Sequence, residues 1–222
     1  MRTLYHAYLC PASRKTRLLL SEKKLDCRLE VERPGEPRQD FLTLNPAGEV
    51  PVLVDLNEAV ICDGAVISEY LEEAYPERSY LGDDPLQRAE VRRLVAWFDG
   101  KFRREVMNYI LHEKVLKRQL KLGQPDTHAI RTGMNNIRPH LDYISWLVEH
   151  RNWLASDHFS LADITAAAHL SVLDYLGDVP WEKHPLAKEW YVRIKSRPSF
   201  RALLEETVPG FLPSPHYQDP DF

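Results

Sequence analysis

Cys10, followed by Pro11, Ala12 and Ser13, is the sharpest chemical feature of this 222-residue chain. Proline suits the first turn of a helix, which places Cys10 at the helix cap. A thiol there meets the positive end of the helix dipole and unpaired amides. Both favour the thiolate, the species that attacks electrophiles and forms mixed disulfides. The plainer reading is a small residue that shapes a turn and reacts with nothing. A second chemical position is the pair Asp63 and Gly64, where a strand pattern hands over to the helical spacing of Val66, Ile67, Tyr70 and Leu71. Orphan amides at such a helix start favour an anion. Tyr5 falls inside the first strand and Tyr8 follows it at once, so both read as packing or cleft-lining groups. Cys27 and Cys62 fall in strands and read as buried small hydrophobes. Three cysteines form no even framework, and nine histidines show no paired ligand spacing, so neither a disulfide nor a metal is expected. His112, His128, His140, His150, His158 and His169 have no partner visible in the sequence.

These residues need elements to hold them. Thr3 to His6 reads as a first strand and Pro11 to Lys24 as a helix, with Leu18, Leu19 and Leu20 buried and Arg14, Lys15, Arg17, Lys23 and Lys24 solvated. Cys27 to Val31 is then a second strand, parallel to the first across that helix. Glu32 to Gln39 is an exposed loop, and Phe41, Leu42 and Leu44 mark a short helical turn. The turn from Asn45 leads into Val50, Val52, Leu53 and Val54, then Ala59 to Cys62, two strands joined by a tight turn. Pro51 cannot donate to a ladder, so it belongs on an edge or in a special geometry such as a cis bond.

Turn residues collect from Tyr75 to Pro85, and the domain boundary is placed there. Beyond it Val91, Leu94, Val95, Phe98, Phe102, Val106, Tyr109 and Ile110 recur at helical spacing, predicting one or two long helices over Leu86 to Leu120. The other face carries Arg88, Arg92, Arg93, Lys101, Arg103 and Arg104, which reads as a solvated face before a partner site. Ile130 to Val148 gives an amphipathic helix. Ser160 to Asp163 fits a capping box before a helix, apolar through Tyr175, that should be the buried centre of its domain. Leu186, Trp190 and Ile194 mark a further helix and Phe200 to Leu204 a short last one, so this part is all-α. The segment 207–222 is rich in proline and aromatics and lacks Lys and Arg. It is either laid over the body or left extended as a recognition segment. The organisation expected is 1–76, a linker 77–87, a helical domain 88–206 and a tail 207–222.

A 44% hydrophobic content supports ordinary cores. Lys and Arg number 29 against 33 Asp and Glu, for a formal charge of −4, which offers no general attraction to nucleic acid. No apolar run approaches membrane-spanning length, and Met1, Arg2 and Thr3 lead straight into a strand, so no membrane insertion and a cytoplasmic location are expected.

Asn45-Pro46-Ala47-Gly48, the Val50-Pro51 strand entrance, and Asp63 ahead of a helix with Glu69-Tyr70-Leu71 resemble the N-terminal domain of the glutathione transferase superfamily. The Ser160 to Asp163 cap resembles the signature of that superfamily's helical domain. The resemblance implies an α/β thioredoxin-like N-terminal domain plus an all-α C-terminal domain. It also implies a glutathione site with the Val50 backbone beside a cis Pro51 binding the cysteinyl amides, Asp63 and Gly64 holding the γ-glutamyl end, and Cys10 in the catalytic position. Cys10-Pro11-Ala12-Ser13 also resembles a one-cysteine thioredoxin-type turn. The superfamily carries Ser or Thr where this chain has Gly64. The missing hydroxyl removes a hydrogen bond worth roughly 1.5 to 3 kcal/mol to a charged acceptor, so no cofactor is expected, with glutathione the one candidate.

Arg88 to Phe102, His140 to Trp153, Ser171 to Trp181, and His216, Tyr217, Asp221 and Phe222 further resemble a branch of division proteins that bind FtsZ, the bacterial tubulin homologue. That branch implies a non-catalytic cytoplasmic homodimer at the division site that favours filament curvature and helps constriction. The partner surface expected combines Tyr8, Cys10 and Asp63 with Tyr217, Asp221 and Phe222. The alternative is a glutathione-dependent transferase or thiol transferase using Cys10.

Overall fold

The strand patterns pair as a four-stranded sheet. A computed structural model of the chain describes residues 1–222 and divides into two units, Met1–Ser79 and Tyr80–Phe222. In the first, β1 (Arg2–His6) lies between β2 (Cys27–Val31), which is parallel to it, and β3 (Val52–Val54), which is antiparallel. β4 (Val60–Cys62) pairs with β3, completing the order β2-β1-β3-β4. α1 (Pro11–Glu22) makes the crossover that a parallel pair requires. Leu4 stands opposite Leu53 in the ladder and both are fully buried. Tyr5 points to the other face, where its ring meets Phe41 of α2 (Gln39–Leu44) at 5.5 Å. α3 (Gly64–Ala74) follows β4 and packs beside α1. The ladder begins at Val52 rather than Val50, because Pro51 has no N–H to give it; the Val50–Pro51 peptide is cis.

Asp55, in the turn between β3 and β4, ties this unit together. Its carboxylate accepts from the hydroxyls of Tyr70 at 2.7 Å and Tyr75 at 2.6 Å and faces Arg2 Nε at 2.8 Å. Burial alone would raise this carboxyl, but the tyrosine hydrogen bonds and Arg2 hold it below the usual range.

Two expectations about which helix faces are buried fail in this unit. Arg14, Lys15 and Lys23 were to be solvated, and all three are buried. Arg14 Nε donates to the Tyr8 carbonyl at 2.8 Å. Lys23 Nζ donates to the carbonyls of Tyr75 and Arg78 at 2.9 and 2.7 Å and pairs with Glu72 at 3.0 Å. A buried ammonium persists only with such partners, and these lie some fifty positions along the chain, beyond any reading of helix periodicity. Val66 was placed on the apolar face of α3 and is 55% exposed, while Ile67 and Leu71 do turn inward.

The second unit is helical throughout. α4 (Pro85–Ala96) is capped by Asp84, whose side chain accepts from the amides of Leu86 and Gln87. The helix runs on through π-helical turns (Trp97–Met107), α5 (Asn108–Leu111), a second π-helical stretch (His112–Leu116) and α6 (Lys117–Gln119). Phe98, Phe102, Val106 and Ile110, each four residues on, are fully buried. On the opposite face Arg92, Arg93, Arg103 and Arg104 are exposed, whereas Arg88 and Lys101 are half-buried. α7 (Thr127–His150) follows; a Cβ on its Gly133 would come within 2.7 Å of the Ile110 side chain, so only glycine permits this approach.

Every residue of α8 (Leu161–Tyr175) is buried, and the capping box at Ser160 forms. Its Asp163 also accepts from Leu154 N at 3.0 Å and Trp190 Nε1 at 2.9 Å, so one carboxylate joins a loop and α9 (Pro185–Lys195) to the start of the central helix. α10 (Arg201–Leu204) is the last helix. Leu186, expected inside, is 39% exposed. Two histidines without partners in the sequence find them on the long helix: His140 Nε2 lies 3.1 Å from Glu105 and His169 Nε2 3.0 Å from Asp99.

Of the two readings of the tail, the structure takes the packed one. Ser214 N donates to Tyr175 O at 2.8 Å and its hydroxyl to Asp174 O at 2.7 Å. His216 Nε2 stands 2.9 Å from the buried Asp174 carboxylate, which also takes Trp181 Nε1 at 2.8 Å and faces Lys195 Nζ at 3.6 Å. Lys195 Nζ in turn lies 3.9 Å from the Phe222 ring centroid and donates to His216 O at 3.0 Å. Removing one member of a buried ion pair costs about 3 to 5 kcal/mol. Lys195→Met is therefore expected to lower unfolding stability in urea by that amount and to speed hydrogen exchange at the tail amides. An unchanged midpoint would show that the pair does not hold the tail.

Candidate functional site

The first unit brings together the positions that the sequence marked for chemistry. Cys10 is the N-cap residue of α1, half-buried, and its side chain caps no amide. Its Sγ lies 3.9 Å from the Val50 carbonyl, beside Pro51. The turn that presents Val50 is held by Asn45, whose Nδ2 donates to Glu49 O at 2.8 Å and whose Oδ1 accepts from Ala47 N at 3.2 Å. Gly48 sits at φ +67 in this turn, a left-handed conformation that glycine adopts without strain. On the other side of α1, Ala12 meets Gly64 so closely that a Cβ at position 64 would stand 3.0 Å from the Ala12 Cβ.

Asp63 occupies φ +74 and caps α3, its Oδ1 accepting from Ala65 N at 2.7 Å and Val66 N at 3.4 Å. The expectation of orphan amides for an external anion is thus narrowed: the protein's own carboxylate takes the amides of Ala65 and Val66. Asp63 is exposed, and its second oxygen is open to a cation such as an amino group. Tyr8 is half-buried and holds Arg14 through its carbonyl.

Tyr217, Asp221 and Phe222 belong to the other unit. Tyr217 is fully buried, its ring 4.9 Å from Tyr175 and its hydroxyl donating to Leu203 O at 3.2 Å, so it is a core residue rather than a partner contact. Asp221 is exposed and Phe222 half-buried.

The other thiols are held in the protonated form by burial. Cys27 and Cys62 are half-buried rather than fully inside; burial pushes Cys27 up to about 11 and raises Cys62 as well. Sequence reasoning quoted Ala12 and Ser13 only as part of the Cys10 turn and gave His6 no role beyond the first strand. The Ser13 hydroxyl accepts from Ala7 N at 3.2 Å and fixes the turn ahead of Cys10. His6 is buried, its ring centroid 5.6 Å from that of Tyr8 in a T-shaped contact; burial, and then the nearby Arg17 charge, lower it to about 4, so it is neutral at physiological pH. Their individual roles were not legible, because each acts through a neighbour that only the fold supplies.

Residues 4–79 match the glutathione S-transferase N-terminal domain and residues 134–198 the glutathione S-transferase C-terminal domain. The chain belongs to the glutathione S-transferase family. Within it, the FtsZ-localized protein A of Caulobacter vibrioides is 50% identical over 100% of this chain and 98% of its own length. Among solved structures, FzlA from C. crescentus superposes with a TM-score of 0.97 at 50% identity, covering 100% of this chain and 99% of that one. A glutathione S-transferase from Rhodospirillum rubrum F11 has a TM-score of 0.96 and 56% identity, with both chains covered in full. The thioredoxin-like and helical domains are those of the glutathione transferase fold.

In this glutathione S-transferase family member, Gly64 now has a physical neighbour as well as a missing hydroxyl. Gly64→Ser is expected to overpack against Ala12 and cost about 1 to 3 kcal/mol in thermal unfolding. Ala12→Gly in the same chain should recover most of that loss, whereas additive losses would place the strain elsewhere. For His6 the folded value lies below the unfolded one, so its contribution is intact above pH 6.5 and is lost as pH falls toward 4. Stability should fall by roughly 3 kcal/mol more in the wild type than in His6→Phe across that window, measured by urea unfolding at each pH.

Proposed function

We propose that this chain is a non-catalytic, glutathione-transferase-like protein that associates with FtsZ filaments and regulates cell division through filament curvature and constriction. It acts as a homodimer in the cytoplasm at the division site and needs no cofactor. The observation that carries the reading is its 50% identity, end to end, with a protein named for localization with FtsZ. Two features of the chain support it. Gly64 offers no side-chain hydroxyl to a peptide carboxylate, and Asp63 already takes the Ala65 and Val66 amides at the start of α3. We assign partner contact to Tyr8 and, on the tail, to Asp221 and the open edge of Phe222.

One observation favours a second reading, a glutathione-dependent transferase or thiol transferase. Cys10 is an uncapped, half-exposed thiol at a helix N-terminus beside the Val50 carbonyl. In that reading its sulfur would attack the disulfide or electrophile, and a Cys10→Ser variant would lose thiol transfer while leaving FtsZ binding untouched.

The deciding experiment is co-sedimentation with polymerised FtsZ, with reduced glutathione titrated calorimetrically into the same preparation. Saturable FtsZ binding without glutathione heat is expected. Glutathione binding without FtsZ binding would overturn the proposal in favour of the enzyme. Deleting the tail would confuse the test, because Tyr217 and His216 would leave the core. Asp221→Lys changes only exposed charge and is expected to weaken FtsZ binding about tenfold or more, about 1.4 kcal/mol. Unchanged co-sedimentation would remove Asp221 from the interface.

A further inference from the structure

The second unit carries a surface that neither the transferase fold nor the FtsZ reading uses. An open cavity of about 820 Å³ is lined by the end of the long helix, the loop after α6, Ile130 of α7, Leu176 beyond α8 and Phe211 of the tail. That volume lies within the range of ordinary ligand sites. Its floor is apolar, formed by Ile130, Leu176 and Phe211, and its rim is cationic, formed by Lys114, Lys117, Arg118 and Lys121.

The rim is not electrically balanced. Lys114 pairs with Asp178 at 2.5 Å and Lys117 with Glu113 at 2.6 Å. Arg118 has no carboxylate; its guanidinium lies 5.1 Å from the Phe211 ring centroid. Lys121 has none either and stands at φ +55, in a left-handed conformation. Two positive charges are therefore left over in a chain whose formal net charge is −4. The adjoining amides of Gly123 and Gln124 bond nothing within the protein and are exposed to solvent. Chain neighbours of the lining add exposed apolar surface, with Leu122 57% and Leu212 88% accessible. This face therefore sets exposed aliphatic groups beside two cations that have no carboxylate partner.

We infer that this surface docks an extended acidic peptide segment carrying aliphatic side chains. The carboxylates lie against Arg118 and Lys121, the aliphatic groups against Phe211, Leu176 and Ile130, and main-chain carbonyls accept from Gly123 and Gln124. Charge complementarity selects the acidic partner. The apolar floor requires that it also carry hydrophobic anchors, and the two free amides favour an extended backbone over a compact ion. The site is independent of the FtsZ reading and of Cys10.

Fluorescence anisotropy on the full-length protein tests it, with a fluorescein-labelled peptide in which glutamate alternates with leucine. Two matched peptides, one with glutamine for every glutamate and one with glutamine for every leucine, separate charge from apolar contact. Saturable binding of the alternating peptide is expected, at least tenfold weaker for either matched peptide and weakened by added salt. Arg118→Glu with Lys121→Glu should weaken it tenfold or more. Lys183→Glu, at an exposed lysine in the turn before α9, should not. Because the rim substitutions could disturb the helix end, the matched peptides on unaltered protein provide the second arm. Absence of saturable binding, equal binding of the leucine-free peptide, or full binding by a folded doubly reversed variant would each overturn the assignment.

Discussion

A carboxylate with no exposed surface cannot stand alone, and Asp174 is such a group. It lies near the end of the wholly buried helix α8, and its demand for donors dictates what surrounds it. Trp181 and Tyr191 hydroxyl or ring N–H groups reach it from the following segments, Lys195 brings a buried ammonium from α9, and His216 comes back from the tail. The tail is therefore part of the helical unit's polar accounting as well as of its apolar core. That explains how a proline-rich segment without regular secondary structure lies firmly over the body: Ser214, His216, Tyr217 and Phe222 each meet either Asp174 or a group bonded to it.

Asp55 plays a comparable part in the thioredoxin-like unit, joining β3, α3 and the start of β1. Both hubs leave Cys10 free of structural duty. Cys10 makes no capping bond, and the turn around it is fixed instead by Ser13 and Arg14. A scaffold built this way can keep its geometry whether or not the thiol reacts. Ala12 and Gly64 also meet closely, and the two small residues fit each other. That contact therefore helps set the spacing of α1 and α3.

Much of this fold was legible in the chain because its signals are local. The capping box at Ser160, the four-residue recurrence from Phe98 to Ile110 and the βαβ crossover around α1 are written within a few turns of the residues they organise. Arg14, Lys15 and Lys23 were misplaced for the opposite reason: charge on a helix surface predicts water unless distant partners, such as Glu72 and Tyr75, are already in place. Tyr217 was read as a surface aromatic on the same logic, and the tyrosine and leucine that bury it lie 42 and 14 positions away. At the site, the residue types at Cys10, Pro51 and Asp63 were evident. The occupancy of the α3 amides by Asp63 was not, because an aspartate before a helix reads equally as a cap or as a ligand.

α8 has a further consequence. With all fifteen of its residues buried, it has no solvent side on which substitutions can accumulate unnoticed. An ordinary surface helix offers selection a constrained stripe and a permissive one, and its history can be read as an alternation of slow and fast positions. Here every position touches something, and three successive alanines leave no room for growth. Lineages of this protein should therefore diverge around α8 long before they diverge within it, leaving the segment as a continuous block of slow change without helical rhythm.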